Sequence, residues 1–255
     1  RWLKETETGY GQVKPILTPR YTPTCTDACM EGLQVLSEKY QVPVQSHLSE
    51  GLDEIEWVKQ LKPGLSCYGE AYDMYDLLGS RQPAVMAHVV HPNEAEYELI
   101  KHRNVLVAHC PQSNTNAANG VAPILQMVHD GIRVGLGTDM AGGYNLNLLR
   151  TITDAIQASK LRWCFTERNG NPFAKKNFLT VANAFYLATK GGGSFFGKVG
   201  SFEPDYEFDA VVLDDAALAD FVERPVQDRF QRILWLHTAD TVTAKFIQGT
   251  CVYQA

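Results

Sequence analysis

The sequence predicts a parallel α/β fold followed by a small β-rich tail, and three observations lead there. Short apolar runs alternate with amphipathic stretches of helical period through residues 1–190, the pattern of βα units around a parallel sheet. Successive apolar runs end on Arg20, His47, His88, His109 and Asp139. Beyond Gly191-Gly192-Gly193 the period changes to two, as in Phe208-Asp209-Ala210-Val211-Val212-Leu213, which is strand patterning. Two parts are therefore expected: residues 1–190 as βα units and residues 191–255 as a β-rich segment packing beside them.

The elements follow in order. Residues 16–20 (Ile-Leu-Thr-Pro-Arg) read as a strand end, and a helix follows over 26–39. Residues 42–47 form the next strand. Ser49 is expected to cap a helix over 50–61, with Leu52, Ile55 and Val58 on its apolar face and carboxylates early, where the helix dipole favours them. Residues 84–88 are a strand, 93–102 a helix and 105–109 a strand. The polar string 112–116 reads as a turn, 121–130 as a helix and 133–139 as a strand ended by the turn Met140-Ala141-Gly142-Gly143. Helices are expected near 146–162 and 180–188. The triple glycine should break the chain, and 199–213 and 245–253 should pair as antiparallel strands.

Composition excludes several classes of partner. The 255 residues carry a net charge of −6, with no run of Lys and Arg able to grip phosphates; no nucleic-acid partner is expected. Mean hydropathy is −0.20 and no apolar run approaches the ~18 residues a membrane span needs. No leader peptide or membrane partner is expected either. The six cysteines form no CxxC pair, so reduced thiols and a cytoplasmic location are the simple reading. Cys25 and Cys29 should share one helix face and serve packing, not metal binding.

The strand-end residues carry the chemistry. In a closed βα barrel the carboxyl ends of the strands converge on one mouth, so residues distant in sequence meet there. His47, in Gln-Ser-His-Leu-Ser-Glu, is a core histidine or a metal ligand, and by itself the string does not choose. Glu50 by itself reads as a helix-dipole carboxylate. Together they place an imidazole and a carboxylate at one mouth, which suits a metal ligand beside a general base. Asp139 is either a helix-capping turn residue or, with glycines leaving room around it, a ligand. His88 is structural or functional, and His109 fits support of other residues better than chemistry. Arg20 is a surface cation or a fork for a planar carbonyl-bearing substrate. His91, His102, His129 and His237 fall in helix or loop contexts and are given no role.

At this point the sequence resembles the amidohydrolase superfamily. The matching strings are Pro19-Arg20-Tyr21-Thr22-Pro23-Thr24-Cys25, Gln45-Ser46-His47-Leu48-Ser49-Glu50, Met86-Ala87-His88, His109-Cys110-Pro111-Gln112-Ser113-Asn114 and Gly135-Leu136-Gly137-Thr138-Asp139-Met140-Ala141-Gly142-Gly143. His-Leu-Ser-Glu and Gly-Thr-Asp fit many members; the Pro-Arg-aromatic, His-Cys-Pro-x-Ser-Asn and Gly-Thr-Asp-x-Ala-Gly-Gly strings, in this order, look like the guanine deaminase family. The resemblance implies a partial (β/α)8 barrel, strands four to eight. It also implies zinc held by His47 and Asp139, with His47, Asp139, Arg20 and Tyr21 meeting guanine. Glu50 would be the proton shuttle, with His88 and Asp139 aligning the attacking water. A homodimer is expected.

The family's first strand ends in His-x-His, which supplies two more zinc ligands, and no such pair occurs in these 255 residues. The expectation is a C-terminal portion with little activity of its own, because two ligands do not hold a catalytic zinc. Tyr21 replaces the usual phenylalanine, and Val89-Val90 follow His88 where a glycine is common. The other readings are a deaminase of a related purine, pterin or triazine, and a non-catalytic relative kept for assembly.

Overall fold

The computed structural model describes residues 2–9 and 13–255. The chain divides into two compact units, one running through Cys110 and taking in Asn114–Val134, the other made of Pro111–Ser113 and Gly135–Ala255.

The first unit opens with α1 (Trp2–Gly9), which buries Leu3. Leu17 then bridges to Val44 in parallel: its N–H donates to the Pro43 carbonyl and its carbonyl accepts from Gln45, both at 2.9 Å. The strand expected at 16–20 is reduced to this bridge, since Pro15 and Pro19 lack the N–H that a longer ladder needs. Helix α2 (Asp27–Tyr40) starts where expected, with the Thr26 hydroxyl accepting from Cys29 N–H at 3.2 Å, and ends on Gln41 in the left-handed region (φ 51°). Cys25 lies ahead of that cap in extended backbone, so the two thiols do not share a helix face as the spacing suggested.

Four strands form the sheet: β1 (Val44–Leu48), β2 (Ala84–His88), β3 (Leu106–His109) and β4 (Arg133–Leu136), in that order. β1 and β2 are parallel with His47 beside Ala87 and Leu48 beside His88; β2 and β3 are parallel with Met86 beside Val107. Residues buried on alternate positions, Val44, Ser46 and Leu48 on β1 and Ala84, Met86 and His88 on β2, give the period-two pattern its physical meaning. Helices α3 (Leu52–Leu61), α4 (Glu70–Asp73), α5 (Glu94–His102), α6 (Pro111–Asn116) and α7 (Ile124–His129) fill the intervals.

Two local expectations are corrected here. Ser49 does not cap α3; Gly51 stands at the N-cap, and the Ser49 hydroxyl donates to Glu96 at 2.6 Å instead. The 112–116 string is not a turn but most of α6. With no apolar stripe, its helical state was invisible to periodicity; its burial at Gln112, Ser113 and Asn114 comes from tertiary contact.

In the second unit, α8 (Leu148–Arg162) starts on Asn147, whose side chain accepts from Leu149 N–H at 2.9 Å, and continues into a π turn over 163–167. Helix α9 (Val181–Tyr186) begins with a Thr180/Asn183 capping box and also runs into a π turn, through Gly191. The triple glycine does not break the chain. Gly192 and Gly193 keep right-handed helical backbone, and the direction changes at Gly197 (φ 106°). A Cβ on Gly193 would stand 2.3 Å from the Val199 carbonyl oxygen, so glycine serves close approach there. Strands β5 (Ala210–Leu213), β6 (Val242–Ile247) and β7 (Thr250–Gln254) make an antiparallel sheet in that order. Of the run expected at 199–213 only 210–213 is strand, and the run expected at 245–253 is split by a turn at Gln248-Gly249 (φ 48° and 79°). Helix α10 (Val226–Leu236), which the sequence reading passed over, buries Ile233 and Leu234 between β5 and β6 in the chain.

Met86, fully buried on β2, tests this core: Met86→Ala should destabilise by about 2–5 kcal/mol, read as a lower urea midpoint monitored by far-UV circular dichroism.

Candidate active site

Three side chains of the first unit meet where the sequence placed its chemistry. His47 is the fourth residue of β1, His88 ends β2, and Glu50 stands between β1 and α3. The imidazoles stack with centroids 5.3 Å apart and planes 13° from parallel, and a ring nitrogen of one lies within 4.8 Å of a ring nitrogen of the other. Glu50 Oε2 is 3.5 Å from His88 Nε2.

Their hydrogen bonds define the proton positions. His47 Nδ1–H donates to the Arg20 carbonyl oxygen, which can only accept. The neutral ring then carries its lone pair on Nε2. His88 repeats the arrangement, with Nδ1–H donating to Asn114 Oδ1 at 2.9 Å. Both rings are therefore held in the tautomer that offers Nε2 as a ligand or acceptor, which is how outer partners prepare metal-binding histidines. Glu50 is held by Asn119, whose Nδ2–H donates to Oε1 at 2.9 Å, leaving Oε2 on the His88 side.

The backbone at the strand ends turns sharply. His88 and Val89 have φ of 75° and 46°, and Ser49 has φ of 45°; such values in non-glycine residues need surrounding structure to hold them. Ser49 supplies part of that hold. Its hydroxyl and the Gly69 N–H, at 2.6 and 2.9 Å, converge on the Glu96 carboxyl of α5. Burial raises the Glu96 pKa to about 7 against the pull of those two donors.

His109, at the end of β3, is fully enclosed, and its pKa is driven down to about 3, first by burial and then by the field of His88. It stays neutral, and among the described residues its Nδ1 has no hydrogen-bond partner. Arg20 is exposed, with its guanidinium carbon 5.3 Å from the Tyr21 ring centroid, and Tyr21 in turn meets Trp57 edge-on with centroids 6.2 Å apart.

Asp139 belongs to the second unit. It follows β4 by three residues and has φ of 45°. Gly143 N–H donates to its carbonyl oxygen at 2.5 Å, and a Cβ on Gly143 would fall 2.0 Å from the Thr138 oxygen. Only glycine fits there, so the Thr-Asp-Met-Ala-Gly-Gly string is the steric requirement of a tight turn that presents a carboxylate.

The structure thus gathers His47, Glu50 and His88 in one unit, together with the Arg20 backbone; the enclosed His109 belongs to the same unit and Asp139 to the other. Sequence reasoning missed Asn119, Glu96, Trp57 and Tyr72. Asn119 lies 69 residues from Glu50, and no local pattern announces such a pairing. A parallel sheet here ends in two Nε2-presenting imidazoles beside a carboxylate, a set of donors of the kind that metal ions take.

Residues 2–234 match the Amidohydrolase family, and the chain belongs to it. It is 36% identical to guanine deaminase of Dictyostelium discoideum over 244 residues, 93% of this chain and 52% of that protein. Guanine deaminase from C. acetobutylicum, solved with guanine in its active site, superposes with a TM-score of 0.89 at 41% identity, over 98% of this chain and 60% of that one. An adenosine deaminase from Xanthomonas campestris with bound zinc shares the fold, with a TM-score of 0.80 at 22% identity over 98% and 54% of the two chains. The chain spans about half the length of the curated relatives it matches. Among the described residues, no helix is long and apolar enough to cross a membrane.

The Glu96 carboxyl yields a signed pH dependence. Its folded pKa, about 7, lies above the ordinary 4.5, so between those values the unfolded chain releases a proton that the folded chain keeps. The stabilisation is complete below pH 4.5 and is lost as pH rises toward 7. Urea midpoints measured across that window should fall with pH, and Glu96→Gln should remove this part of the slope. Identical slopes in the two proteins would contradict the assignment.

Proposed function

We propose that this chain belongs to a zinc-dependent enzyme that hydrolyses guanine to xanthine and ammonia. The observation that carries the reading is the pair of histidines, each donating Nδ1–H to a fixed oxygen and offering Nε2 beside a carboxylate. That donor set fits zinc, which binds neutral imidazole and carboxylate oxygen. His47 and Asp139 are the residues we assign to it. Asp139 rests on the Gly-Thr-Asp string at the end of β4 and on its turn, and not on its position relative to the first unit.

Zinc, when bound, lowers the pKa of a coordinated water toward ~7 and so supplies the nucleophile at neutral pH. Glu50 takes the proton of the attacking water at Oε2, while Asn119 holds Oε1. It passes that proton to the purine ring, which makes C2 electrophilic. His88 and Asp139 align the water's oxygen with C2. The C2–O bond forms; Glu50 then takes the remaining proton of the new C2 hydroxyl and gives it to the amine, the C2–N bond breaks, and ammonia leaves with C2 as a carbonyl. Arg20 forks onto the carbonyl edge of guanine, an edge that adenine lacks, and Tyr21 lies against the ring.

The five parallel segments, from Leu17 to β4, are read here as strands four to eight of a (β/α)8 barrel, with residues 191–255 as the β-rich annex. A cytoplasmic homodimer, without nucleic-acid or membrane partners, completes the reading.

In the full-length protein, Glu50→Gln should keep its zinc and lose about 10²–10⁴-fold in turnover, the range general acid–base catalysis supplies. His47→Ala and Asp139→Ala should lose metal as well, measured by atomic emission. Arg20→Ala should weaken guanine binding by ~1–3 kcal/mol and relax selectivity. Assays should cover guanine, adenine, a pterin and a triazine. Near-normal turnover in Glu50→Gln would overturn the proton shuttle; preference for another base would overturn the substrate.

A further inference from the structure

Tyr72 stands at a junction that the mechanism has not used. It sits on α4, is fully buried, and its phenol meets groups from two separate parts of the site. The O–H donates to the His47 carbonyl oxygen at 2.8 Å. The same oxygen accepts from Thr22 N–H at 3.2 Å and lies 2.8 Å from the Ser46 hydroxyl. Ser46 in turn contacts the carbonyl oxygens of Pro19 and Arg20 at 2.8 and 3.1 Å. One phenol therefore ties the 19–22 stretch, which carries Arg20 and Tyr21, to the strand residue that presents an imidazole.

The network continues to the far end of the His-Leu-Ser-Glu string. Tyr68 stacks on Tyr72 with centroids 5.7 Å apart and donates its O–H to Glu54 Oε1 at 2.7 Å. Glu54 Oε2 accepts from the Glu50 N–H at 3.2 Å. Burial drives the pKa of both phenols up, so each keeps the proton its hydrogen bond requires. No other contact in this set reaches both Thr22 and His47.

We infer that Tyr72 is a positioning residue that sets the substrate-binding stretch 20–22 in register with His47. The inference rests on the reading of Arg20 and Tyr21 as guanine-binding residues. Its physical content is separate: without the phenol oxygen, the Thr22 N–H loses its acceptor and the stretch loses its link to β1. Phenylalanine keeps the ring and its packing. The loss then falls on the register of Arg20, and hence on substrate binding more than on the chemical step.

The test uses Tyr72→Phe in the full-length, zinc-loaded protein. Hydrogen exchange at the Thr22 amide should speed up at least about tenfold, since the phenol oxygen that accepts from it is gone. The KM for guanine should rise about tenfold while kcat changes less than about twofold, as expected for a lost link worth one buried hydrogen bond. In an Arg20→Ala background the same substitution should add less than about twofold to KM, because both changes act through one group. Should Tyr72→Phe fold poorly, Thr22→Pro removes the N–H, together with a buried hydroxyl that makes no hydrogen bond among the described residues. The backbone accepts it, since Tyr21 is extended and Thr22 opens a short helical turn. It should reproduce the KM effect. An unchanged Thr22 amide, or a KM effect as large with Arg20 absent, overturns the inference. Absence of guanine turnover in the parent protein instead overturns the function, and the amide exchange still decides the role of Tyr72.

Discussion

The site depends on one hydrogen bond, from His47 Nδ1–H to the Arg20 carbonyl oxygen. A carbonyl cannot donate, so the bond decides which imidazole nitrogen bears the proton and which bears the lone pair. It also decides where the ring points, because β1 supplies the backbone and Arg20 the fixed acceptor. The same contact places the 20–22 stretch against the end of β1. Ligand geometry and substrate geometry are thereby coupled through a single peptide group, and the Tyr72 phenol reinforces that coupling from the buried side.

The other imidazole obeys the same logic with a different partner. His88 has a nearly inaccessible side chain, and the amide oxygen of Asn114, accepting from its Nδ1–H, holds the ring oriented. His109, enclosed at the end of β3, has its pKa reduced to about 3 by burial and by the field of His88. Two stacked imidazoles that offer Nε2 next to a carboxylate make a good arrangement for receiving a cation. Asn119 and Asn114, close together in the chain, hold Glu50 and His88 respectively, so α6 and the residues just after it organise both sides of the carboxylate–imidazole contact.

What could be read from the chain follows from what local pattern encodes. The strands at 44–48, 84–88 and 106–109 were legible because burial on alternate residues leaves a period of two, and their polar ends stood out against that period. The 112–116 segment was not legible as helix, because its buried residues are polar and their burial is decided by neighbours distant in sequence. Ser49 looked like an ordinary helix cap. Only the proximity of Glu96, 47 residues away, turns its hydroxyl elsewhere. The triple glycine looked like a break because glycine permits one, and the fold uses the missing Cβ for the approach of Val199 instead.

The sequence by itself determined the parallel α/β class, the antiparallel tail, the strand-end positions of His88 and His109, the place of His47 near the end of β1, and the turn that only glycine at 143 allows. The strand expected to end on Asp139 stops at Leu136 and leaves Asp139 in that turn. These are properties of one segment at a time, written in periodicity and in backbone sterics. Tertiary structure alone decided the tautomers of the two histidines, the leash on Glu50, the buried carboxyl of Glu96 and the junction at Tyr72. Each of those rests on a hydrogen bond between residues about 25 to 70 positions apart, and a hydrogen bond at that range has no sequence period to betray it.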